Sequence, residues 1–278
     1  PGGQYAADDF EMLVNKFREA GINNVKISAG YRLSYPDEKL FTFYLDEFET
    51  KLFDLPEGVY TCLIENEDCE EQILTPGMDD EIFSRTKVPM TKNEVRVLSI
   101  SRLELTKKAV VYDVGSGTGS VSAECARLSH DIVVFAIEQK EEAANLTKEN
   151  AARLGLSDQI VVINKKAPEG FEELPTPTHV FIGGSSGVLS DILSAIQKKL
   201  IVKENTKGVR VVINAVSLET IAQITKLIQT YPVKHVQLTQ IQASRAHKLG
   251  SYNLMQAQNP VLIASFNLLP DDKMEADE

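Results

Sequence analysis

Long apolar runs are missing from this sequence of 278 residues. None approaches the roughly 18 to 20 consecutive apolar residues that a membrane-spanning helix needs. The first five residues, Pro-Gly-Gly-Gln-Tyr, also lack the charged and apolar parts of a secretory signal peptide. With 43% hydrophobic and 25% charged residues, the composition is that of an ordinary globular protein. These absences predict a cytoplasmic protein that has no membrane partner.

Cysteine, histidine and positive charge are also scarce. The three cysteines, Cys62, Cys69 and Cys125, form neither a Cys-x-x-Cys pair nor a regular framework, which is typical of a reducing compartment. The four histidines are scattered, so their spacing predicts no metal site. A net charge of -11 disfavours general nucleic-acid binding, because the phosphate backbone would be repelled. An acidic substrate would therefore need a local basic patch.

Glycine, in contrast, is concentrated in one stretch, residues 110–120 (Val-Val-Tyr-Asp-Val-Gly-Ser-Gly-Thr-Gly-Ser). An apolar run that ends at Asp113 and breaks into Gly115, Gly117 and Gly119 predicts a buried strand, a tight turn and the start of a helix. A carboxylate at the end of that strand suits a ligand that carries a cation or hydroxyl groups, and it is unfavourable beside a phosphate. The stretch therefore favours S-adenosylmethionine over a nucleotide phosphate.

Two other glycine-rich loops are weaker interpretations of the same stretch. The dinucleotide-binding motif needs glycine at its sixth position, where this sequence has Ser120. The phosphate-binding loop ends in Gly-Lys-Ser or Gly-Lys-Thr, and no lysine follows here until Lys140. A glycine turn with only a structural role remains a third alternative.

Downstream of residue 110, strand patterns alternate with helix patterns, which is typical of a parallel sheet covered on both faces. Further strands are predicted at 132–137, 160–163, 180–182, 209–214, 233–242 and 260–266, and helices at 121–128, 141–154 and 218–229. The last two strands are joined without a helical pattern, which predicts an antiparallel pair. We therefore predict an α/β fold of the class I S-adenosylmethionine-dependent methyltransferase type, with seven mostly parallel strands and an antiparallel last strand.

Three further positions are candidates for ligand contacts. Glu138 follows the second strand of this sheet, where a carboxylate can accept hydrogen bonds from both hydroxyls of a ribose. Gly183 and Gly184 follow the fourth strand and would leave room for a bulky planar substrate. Thr91 and Glu94 have the spacing of a capping box, which predicts a helix over residues 92–104 with Thr91 facing the ligand.

The first 75 residues predict a thin unit of four elements: a helix at 7–20, strands at 25–28 and 59–65, and a helix near 43–53. An acidic linker at 65–80 carries Pro76 and Gly77, which mark a domain boundary. We expect two domains, residues 1–72 and residues 75–278.

The C-terminal domain resembles the precorrin-6B C15-methyltransferases (decarboxylating) of cobalamin biosynthesis over its whole length. The matching motifs are 87–92 (Lys-Val-Pro-Met-Thr-Lys), 113–120 (Asp-Val-Gly-Ser-Gly-Thr-Gly-Ser), 136–138 (Ala-Ile-Glu), 167–169 (Ala-Pro-Glu), 181–185 (Phe-Ile-Gly-Gly-Ser), 214–216 (Asn-Ala-Val), 244–246 (Ser-Arg-Ala) and 259–261 (Asn-Pro-Val). Residues 33–38 (Leu-Ser-Tyr-Pro-Asp-Glu) and 64–66 (Ile-Glu-Asn) resemble the last part of the methylases that modify C5 of precorrin-6. Together the two parts resemble a truncated form of the fused C5,15-methyltransferase, although an unrelated α/β appendage remains an alternative for the first. No independent activity is expected of the N-terminal part.

The resemblance implies methylation of C15 and loss of carbon dioxide from the acetate on ring C of precorrin-6B or its cobalt form. It also implies a homo-oligomer, and a tetramer is suspected. The cofactor contacts that we predict from the motif and the resemblance are Thr91, Asp113, Gly115, Ser116, Gly117, Thr118, Gly119, Glu138, Ala167 and Gly183. This chain has Lys165 and Lys166 where the family pattern has Gly-Asp. If that aspartate helps to define the adenine pocket, the contact must come from the Ala167 backbone or from another group.

Substrate contacts are predicted at Gly184, Asn214 and Arg245, because an acidic tetrapyrrole needs cations and polar groups near the methyl donor. The other cations considered for this role are Arg85, Lys87, Lys92, Arg96, His247 and Lys248. Two rival functions stay open: another class I methyltransferase, acting on a small molecule or a macromolecule, and a non-catalytic module that binds the cofactor or protein partners.

Overall fold

The computed structural model describes residues 6–19, 22–48, 56–67, 75–185, 187–202 and 208–271. The chain divides into two compact units, Pro1–Ile73 and Leu74–Glu278. Among the described residues, no helix combines the length and the apolar character needed to cross a membrane.

The N-terminal unit is a helix packed on a three-stranded antiparallel sheet. The helix is α1 (Ala6–Glu19), and the strands are β1 (Val25–Tyr31), β2 (Lys39–Tyr44) and β3 (Tyr60–Asn66), in the order β2-β1-β3. Phe10 and Val14 of α1 are fully buried against the sheet, and the helix lies where the sequence predicts one, at 7–20.

The helix predicted near 43–53 is wrong at its start, because Phe43 and Tyr44 belong to β2. Phe43 lies opposite Ile27 of β1 and is buried, while the neighbouring Thr42 is exposed. Alternation of this kind suits a strand, and the strand satisfies backbone groups along the edge of β1. Residues 49–53 lie outside the described residues.

The C-terminal unit contains a seven-stranded sheet in the order β6-β5-β4-β7-β8-β12-β9. Its strands are β4 (Val110–Val114), β5 (Val133–Ile137), β6 (Ile160–Ile163), β7 (His179–Ile182), β8 (Val209–Ala215), β9 (Val233–Ile241) and β12 (Val261–Leu268). The pairs from β6 to β8 are parallel, and β12 is antiparallel to both β8 and β9. This arrangement confirms the predicted methyltransferase sheet.

Helices cover both faces of this sheet. They are α2 (Asn93–Leu103), α3 (Ser120–Ala126), α4 (Glu141–Arg153), α5 (Leu189–Val202) and α6 (Leu218–Thr230). Successive residues of β4 enter different cores: Tyr112 packs with α5 and α6, and Val111 packs with α2 and α3. The near-continuous apolar strands are therefore explained by burial on both faces.

Two elements of this unit were not predicted. Helix α5 lies between β7 and β8, and an antiparallel hairpin of β10 (Ser244–Leu249) and β11 (Tyr252–Ala257) lies between β9 and β12. The hairpin escaped prediction because almost all of its residues are exposed, so it lacks a regular apolar alternation.

The predicted capping box at the start of α2 is wrong. The N-cap is Lys92, and its side chain makes no cap hydrogen bond. Instead, Asp80 accepts a hydrogen bond from the Asn93 N–H at 3.1 Å, and Glu94 is paired with Arg245. A carboxylate from a distant segment has therefore taken the place of the local cap.

Candidate functional site

A cavity of about 1190 Å³ opens along the carboxyl ends of β4, β5, β7 and β8. Most single-ligand pockets have volumes of about 300–1,000 Å³. The glycine turn after β4, the segment ahead of α2, the loop after β7 and the β10–β11 hairpin all contribute to its wall. The carboxyl edge of such a sheet is where ligands bind in doubly wound α/β folds, and this cavity has room for two of them.

The glycine turn closes one end of the cavity. Gly115 and Gly117 have φ angles of 75° and 59°, in the left-handed region. A Cβ atom on Gly115 would lie 2.7 Å from the carbonyl oxygen of Gly184, and one on Gly117 would lie 2.9 Å from that of Pro89. The turn is thus packed against two other loops of the cavity wall, and both positions need glycine for conformation and for space.

Glu138 follows β5 and presents a carboxylate held by two backbone amides. Its Oε2 accepts a hydrogen bond from the Gly117 N–H at 3.1 Å, and its Oε1 accepts one from the Lys140 N–H at 2.9 Å. The side chain lines the cavity and is 8% exposed. Each carboxylate oxygen has capacity for a further hydrogen bond, so Glu138 can receive a diol.

Most of the predicted contacts meet at this cavity. Its wall includes Thr91, Gly115, Ser116, Gly117, Glu138, Ala167, Gly183, Gly184, Asn214 and Arg245. Asp113, Thr118 and Gly119 are not part of this wall. Thr118 is 1% exposed, and Gly119 packs against Thr147 of α4, where a Cβ atom would lie 2.7 Å from Thr147 Cγ2.

Asp113 does not end its strand, which corrects the interpretation made from the sequence. β4 continues to Val114, and Asp113 is 1% exposed. Ser122 Oγ donates a hydrogen bond to Asp113 Oδ2, whereas Oδ1 has no partner among the described residues. Burial is the main cause that raises the pKa of Asp113 to about 6. The carboxyl group therefore lies behind the glycine turn.

Arg96 was considered as a substrate-side cation, but the structure buries it completely. Its Nη1 lies 3.2 Å from Asp80 Oδ1, and its Nε lies 3.2 Å from Glu124 Oε1. It also donates hydrogen bonds to the carbonyl oxygens of Thr91, at 2.7 Å, and Met78. Arg96 thus lies within a buried ion network behind the cavity wall.

Arg245 lines the cavity, but its guanidinium is already engaged. Nε and Nη2 donate to the two carboxylate oxygens of Glu94 at 2.7 and 2.6 Å, and Nη1 donates to Asp80 Oδ2 at 2.8 Å. The hydrogen bond from Arg245 is the main cause that lowers the pKa of Glu94. A role as the carboxylate clamp of a substrate therefore stays a prediction, and the clamp would have to compete with these partners.

The cavity concentrates positive charge in an acidic protein. Among the described residues, two carboxylates line it, Glu138 and Glu142, against seven cationic side chains: Arg85, Lys87, Lys92, Lys140, Lys165, Lys166 and Arg245. Lys92 lies 3.7 Å from Asp80, and Lys165 lies 3.7 Å from Glu173. We call Arg85, Lys87, Lys140 and Lys166 the cationic rim; all four are exposed. Sequence reasoning did not single out Lys140, although its position two residues after Glu138 was a usable signal.

Asn214 provides a polar group at the end of β8. Its side-chain amide donates a hydrogen bond to Ser99 Oγ of α2 at 2.9 Å, and the residue lines the cavity. The cavity thus combines a carboxylate that can bind a diol, a glycine turn, a fixed amide and an excess of cations. Such a set can hold a neutral or cationic nucleoside beside a polyanionic second ligand.

Comparison with known proteins gives consistent results. Residues 81–267 match the family described as the precorrin methyltransferase domain. A probable cobalt-precorrin-6B C(15)-methyltransferase (decarboxylating) of Pyrobaculum calidifontis is 39% identical over 191 residues, covering 68% of this chain and 94% of the relative. The protein of the same description from Saccharolobus solfataricus is 33% identical over 199 residues, covering 70% and 98%.

Two solved structures are similar over the same region. A precorrin-6y C5,15-methyltransferase from Geobacter metallireducens has a TM-score of 0.62 and 30% identity, covering 69% of this chain and 96% of that one. A precorrin 8W decarboxylase of Methanobacterium thermoautotrophicum has a TM-score of 0.61 and 31% identity, covering 69% and 100%.

Proposed function

Since this chain belongs to the precorrin methyltransferase family, we propose that it methylates C15 of precorrin-6B, or of its cobalt form, and removes carbon dioxide from the acetate on ring C. The relatives that carry this description match the C-terminal unit over nearly their whole length. The observation that carries the proposal is the cavity in which Glu138 and the glycine turn lie beside the cationic rim.

The residues of the cavity fit S-adenosylmethionine. The glycine turn lines the cavity, and its left-handed conformation at Gly115 and Gly117 places backbone, without side chains, at this part of the wall. Glu138 would accept hydrogen bonds from the ribose hydroxyls, and the Ala167 region would line the adenine. No phosphate is needed to explain this end of the cavity, which supports the preference over a nucleotide.

When bound, S-adenosylmethionine supplies an electrophilic methyl group on its sulfonium sulfur. The task of the chain is then to hold the acceptor carbon in line with that methyl group, and correct orientation alone can contribute roughly 7–11 kcal/mol to such a step. We assign this orientation to Gly183, Gly184 and Asn214 on the acceptor side. After methylation, the electrons released by decarboxylation flow into the conjugated macrocycle of the substrate.

Replacing Glu138 by alanine is expected to weaken binding of S-adenosylmethionine by about 1.5–3 kcal/mol, or roughly 10- to 150-fold. The change removes charge-assisted hydrogen bonds to the ribose. Titration calorimetry of the full chain measures the effect. The control is Glu142→Ala, because Glu142 lines the same cavity but accepts a hydrogen bond from Thr86 Oγ1 at 2.6 Å. Unchanged affinity in the Glu138 variant would remove the assignment.

The cationic rim explains how an acidic protein receives a substrate with many carboxylates. Replacing Lys87 and Lys140 together by glutamine is expected to raise KM for the tetrapyrrole roughly 2- to 30-fold, because exposed ion pairs contribute about 0.2–1 kcal/mol each. The salt dependence of kcat/KM should also become shallower. Lys248→Gln is the control, since Lys248 is exposed but outside the cavity wall. Equal effects of control and double variant would contradict a specific rim.

Two further assignments complete the proposal. We propose that residues 1–72 are a methylase-like appendage without a cofactor site of its own. We also propose a homo-oligomer, and the family resemblance implies a tetramer. Large apolar side chains exposed on the β10–β11 hairpin support self-association. The exposed fractions are 61% for Leu249, 73% for Tyr252, 51% for Leu254 and 68% for Met255. Contiguous apolar exposure of this kind often marks an interface.

The activity is tested by incubating the full chain with methyl-labelled S-adenosylmethionine and precorrin-6B, followed by mass analysis. The expected product has gained one labelled methyl group and lost one carbon dioxide. Methyl transfer to other small molecules or to macromolecules, with none to precorrin-6B, would favour a different methyltransferase. Cofactor binding without any transfer would favour a non-catalytic module.

A further inference from the structure

The β10–β11 hairpin forms one wall of the cavity, although little of it is buried. Arg245 and His247 of β10 and Gln256 of β11 line the cavity, and Arg245 lies opposite Gln256 in the hairpin register. An isolated two-stranded hairpin is only marginally stable in water. A wall made from this hairpin therefore needs an anchor to the body of the domain.

Arg245 provides such an anchor, because it is bound by two carboxylates from two other elements. Glu94 lies on α2 and accepts a bidentate pair of hydrogen bonds. Asp80 lies in the short 3-10 turn Asp80–Ile82 and accepts a third. The planar guanidinium can make these three hydrogen bonds in one orientation. The contacts therefore fix the position of β10 and also hold β10 in place.

Asp80 extends the connection to a second segment of the cavity wall. It is 2% exposed, and while its Oδ2 accepts from Arg245, its Oδ1 accepts from Arg96. Arg96 in turn donates to the carbonyl oxygen of Thr91, which lines the cavity on the side of the glycine turn. Burial would raise the pKa of Asp80, but hydrogen bonds from Arg245 and Arg96 outweigh burial and lower it.

We propose that Glu94 and Asp80 are positioning residues that hold the β10–β11 hairpin over the acceptor side of the cavity through Arg245, and that Asp80 also positions Thr91 on the cofactor side through Arg96. The inference rests on the proposed function for the identity of the acceptor. It assigns Arg245 to the architecture of the site and leaves the substrate carboxylates to the cationic rim. Arg245 and Glu94 are 37% and 40% exposed, so their ion pair adds little net stability, and its role here is to set the position of the hairpin.

The two carboxylates should differ in their effects. Glu94→Gln is expected to raise KM for the tetrapyrrole about 10-fold, the low end for charge-assisted hydrogen bonds, because Glu94 is partly exposed. Its affinity for S-adenosylhomocysteine should stay within about twofold. Asp80→Asn should have the same effect on KM for the tetrapyrrole. In addition, it is expected to weaken S-adenosylhomocysteine binding about 10-fold, because the contact to Arg96 is also altered. In both variants, hydrogen exchange of residues 244–257 in the free protein should become faster.

Arg245→Lys separates positioning from simple charge. Lysine keeps the charge but cannot form the bidentate pair, so this variant should resemble Glu94→Gln, and the two changes should be non-additive when combined. Glu104→Gln is the matched control. Glu104 pairs with Arg210 at 3.0 Å in the same unit and is not a member of the cluster that holds Arg245. Hydrogen exchange of residues 244–257 in this control should equal that of the parent.

Unchanged hairpin exchange in both Glu94→Gln and Asp80→Asn would overturn the inference, as would full activity of Arg245→Lys. Hydrogen exchange and the affinity for S-adenosylhomocysteine are measured without turnover. If the parent protein fails to convert precorrin-6B, the proposed function fails, and the exchange data still decide whether the hairpin is held by this cluster.

Discussion

Replacing Arg96 by methionine is expected to lower the free energy of unfolding of the C-terminal unit by about 3–5 kcal/mol. The guanidinium is fully buried between Asp80 and Glu124, which are also buried. Removing it takes the shared cation from two buried carboxylates, which leaves Asp80 with Arg245 and Lys92 and leaves Glu124 with Arg127 at 3.5 Å. Methionine fills only the volume. Urea unfolding followed by hydrogen exchange in β4 and β8 measures this unit separately from the N-terminal one.

Two further variants test whether the lost ion pairs cause this decrease in stability. Arg102 lies on the same helix but is half-buried, and it donates an exposed hydrogen bond to the neutral side chain of Gln237, so Arg102→Met should cost less than about 1 kcal/mol. Combining Arg96→Met with Glu124→Gln should recover part of the stability, because one stranded carboxylate is neutralised. The amide oxygen of the introduced glutamine could still accept the hydrogen bonds that Glu124 Oε1 receives from the Gly77 and Met78 amides. A double variant less stable than the single one would show that packing dominates.

Replacing Asp113 by asparagine is expected to change how stability depends on pH. The pKa of Asp113 is raised by burial from 3.8 to about 6, so between these values the folded state holds a proton that the unfolded state has released. The contribution of Asp113 to stability is therefore present in acid and is lost as pH rises to about 6. This rise in the pKa corresponds to about 3 kcal/mol of stability.

Asparagine does not titrate, so relative to the parent the variant should gain about 3 kcal/mol between roughly pH 3.5 and pH 7. Its side-chain oxygen can still accept the hydrogen bond from Ser122 Oγ. Asp131→Asn is the control, because Asp131 is an exposed aspartate of the same unit. Denaturant unfolding without cofactor across this pH range measures the difference. A constant difference between parent and Asp113→Asn would mean that folding does not shift the pKa of Asp113.

The central part of the site was predictable because its signals are local. Gly115 and Gly117 stand where the backbone takes positive φ angles, and the apolar run before them is buried on both faces. Glu138 follows the next strand, and parallel strands bring their carboxyl ends to one edge. The mostly parallel sheet with an antiparallel last strand followed from the alternation of patterns and from the helix-free connection ahead of β12. None of these features depends on a partner that is remote in sequence.

The charged residues were harder to interpret, because charge alone does not name a partner. Thr91 and Glu94 have the spacing of a capping box, yet Asp80 caps α2 and Glu94 binds Arg245. Arg96 and Arg245 look alike in the sequence as cations near the cavity, but one is fully buried and the other is held at the wall.

The sequence by itself determined the strands of the sheet, the glycine turn and the position of Glu138, since periodicity and backbone conformation are properties of short segments. The family was indicated by the resemblance of its motifs. Only the tertiary structure decided which carboxylate meets which cation. Asp80 and Arg245 are separated by 165 residues and lie 2.8 Å apart. Electrostatic energy falls with distance in space and with exposure to water, and neither quantity can be read from spacing along the chain. Which charged residues belong to the buried ion network, the hairpin anchor or the cationic rim is therefore decided only in the folded protein.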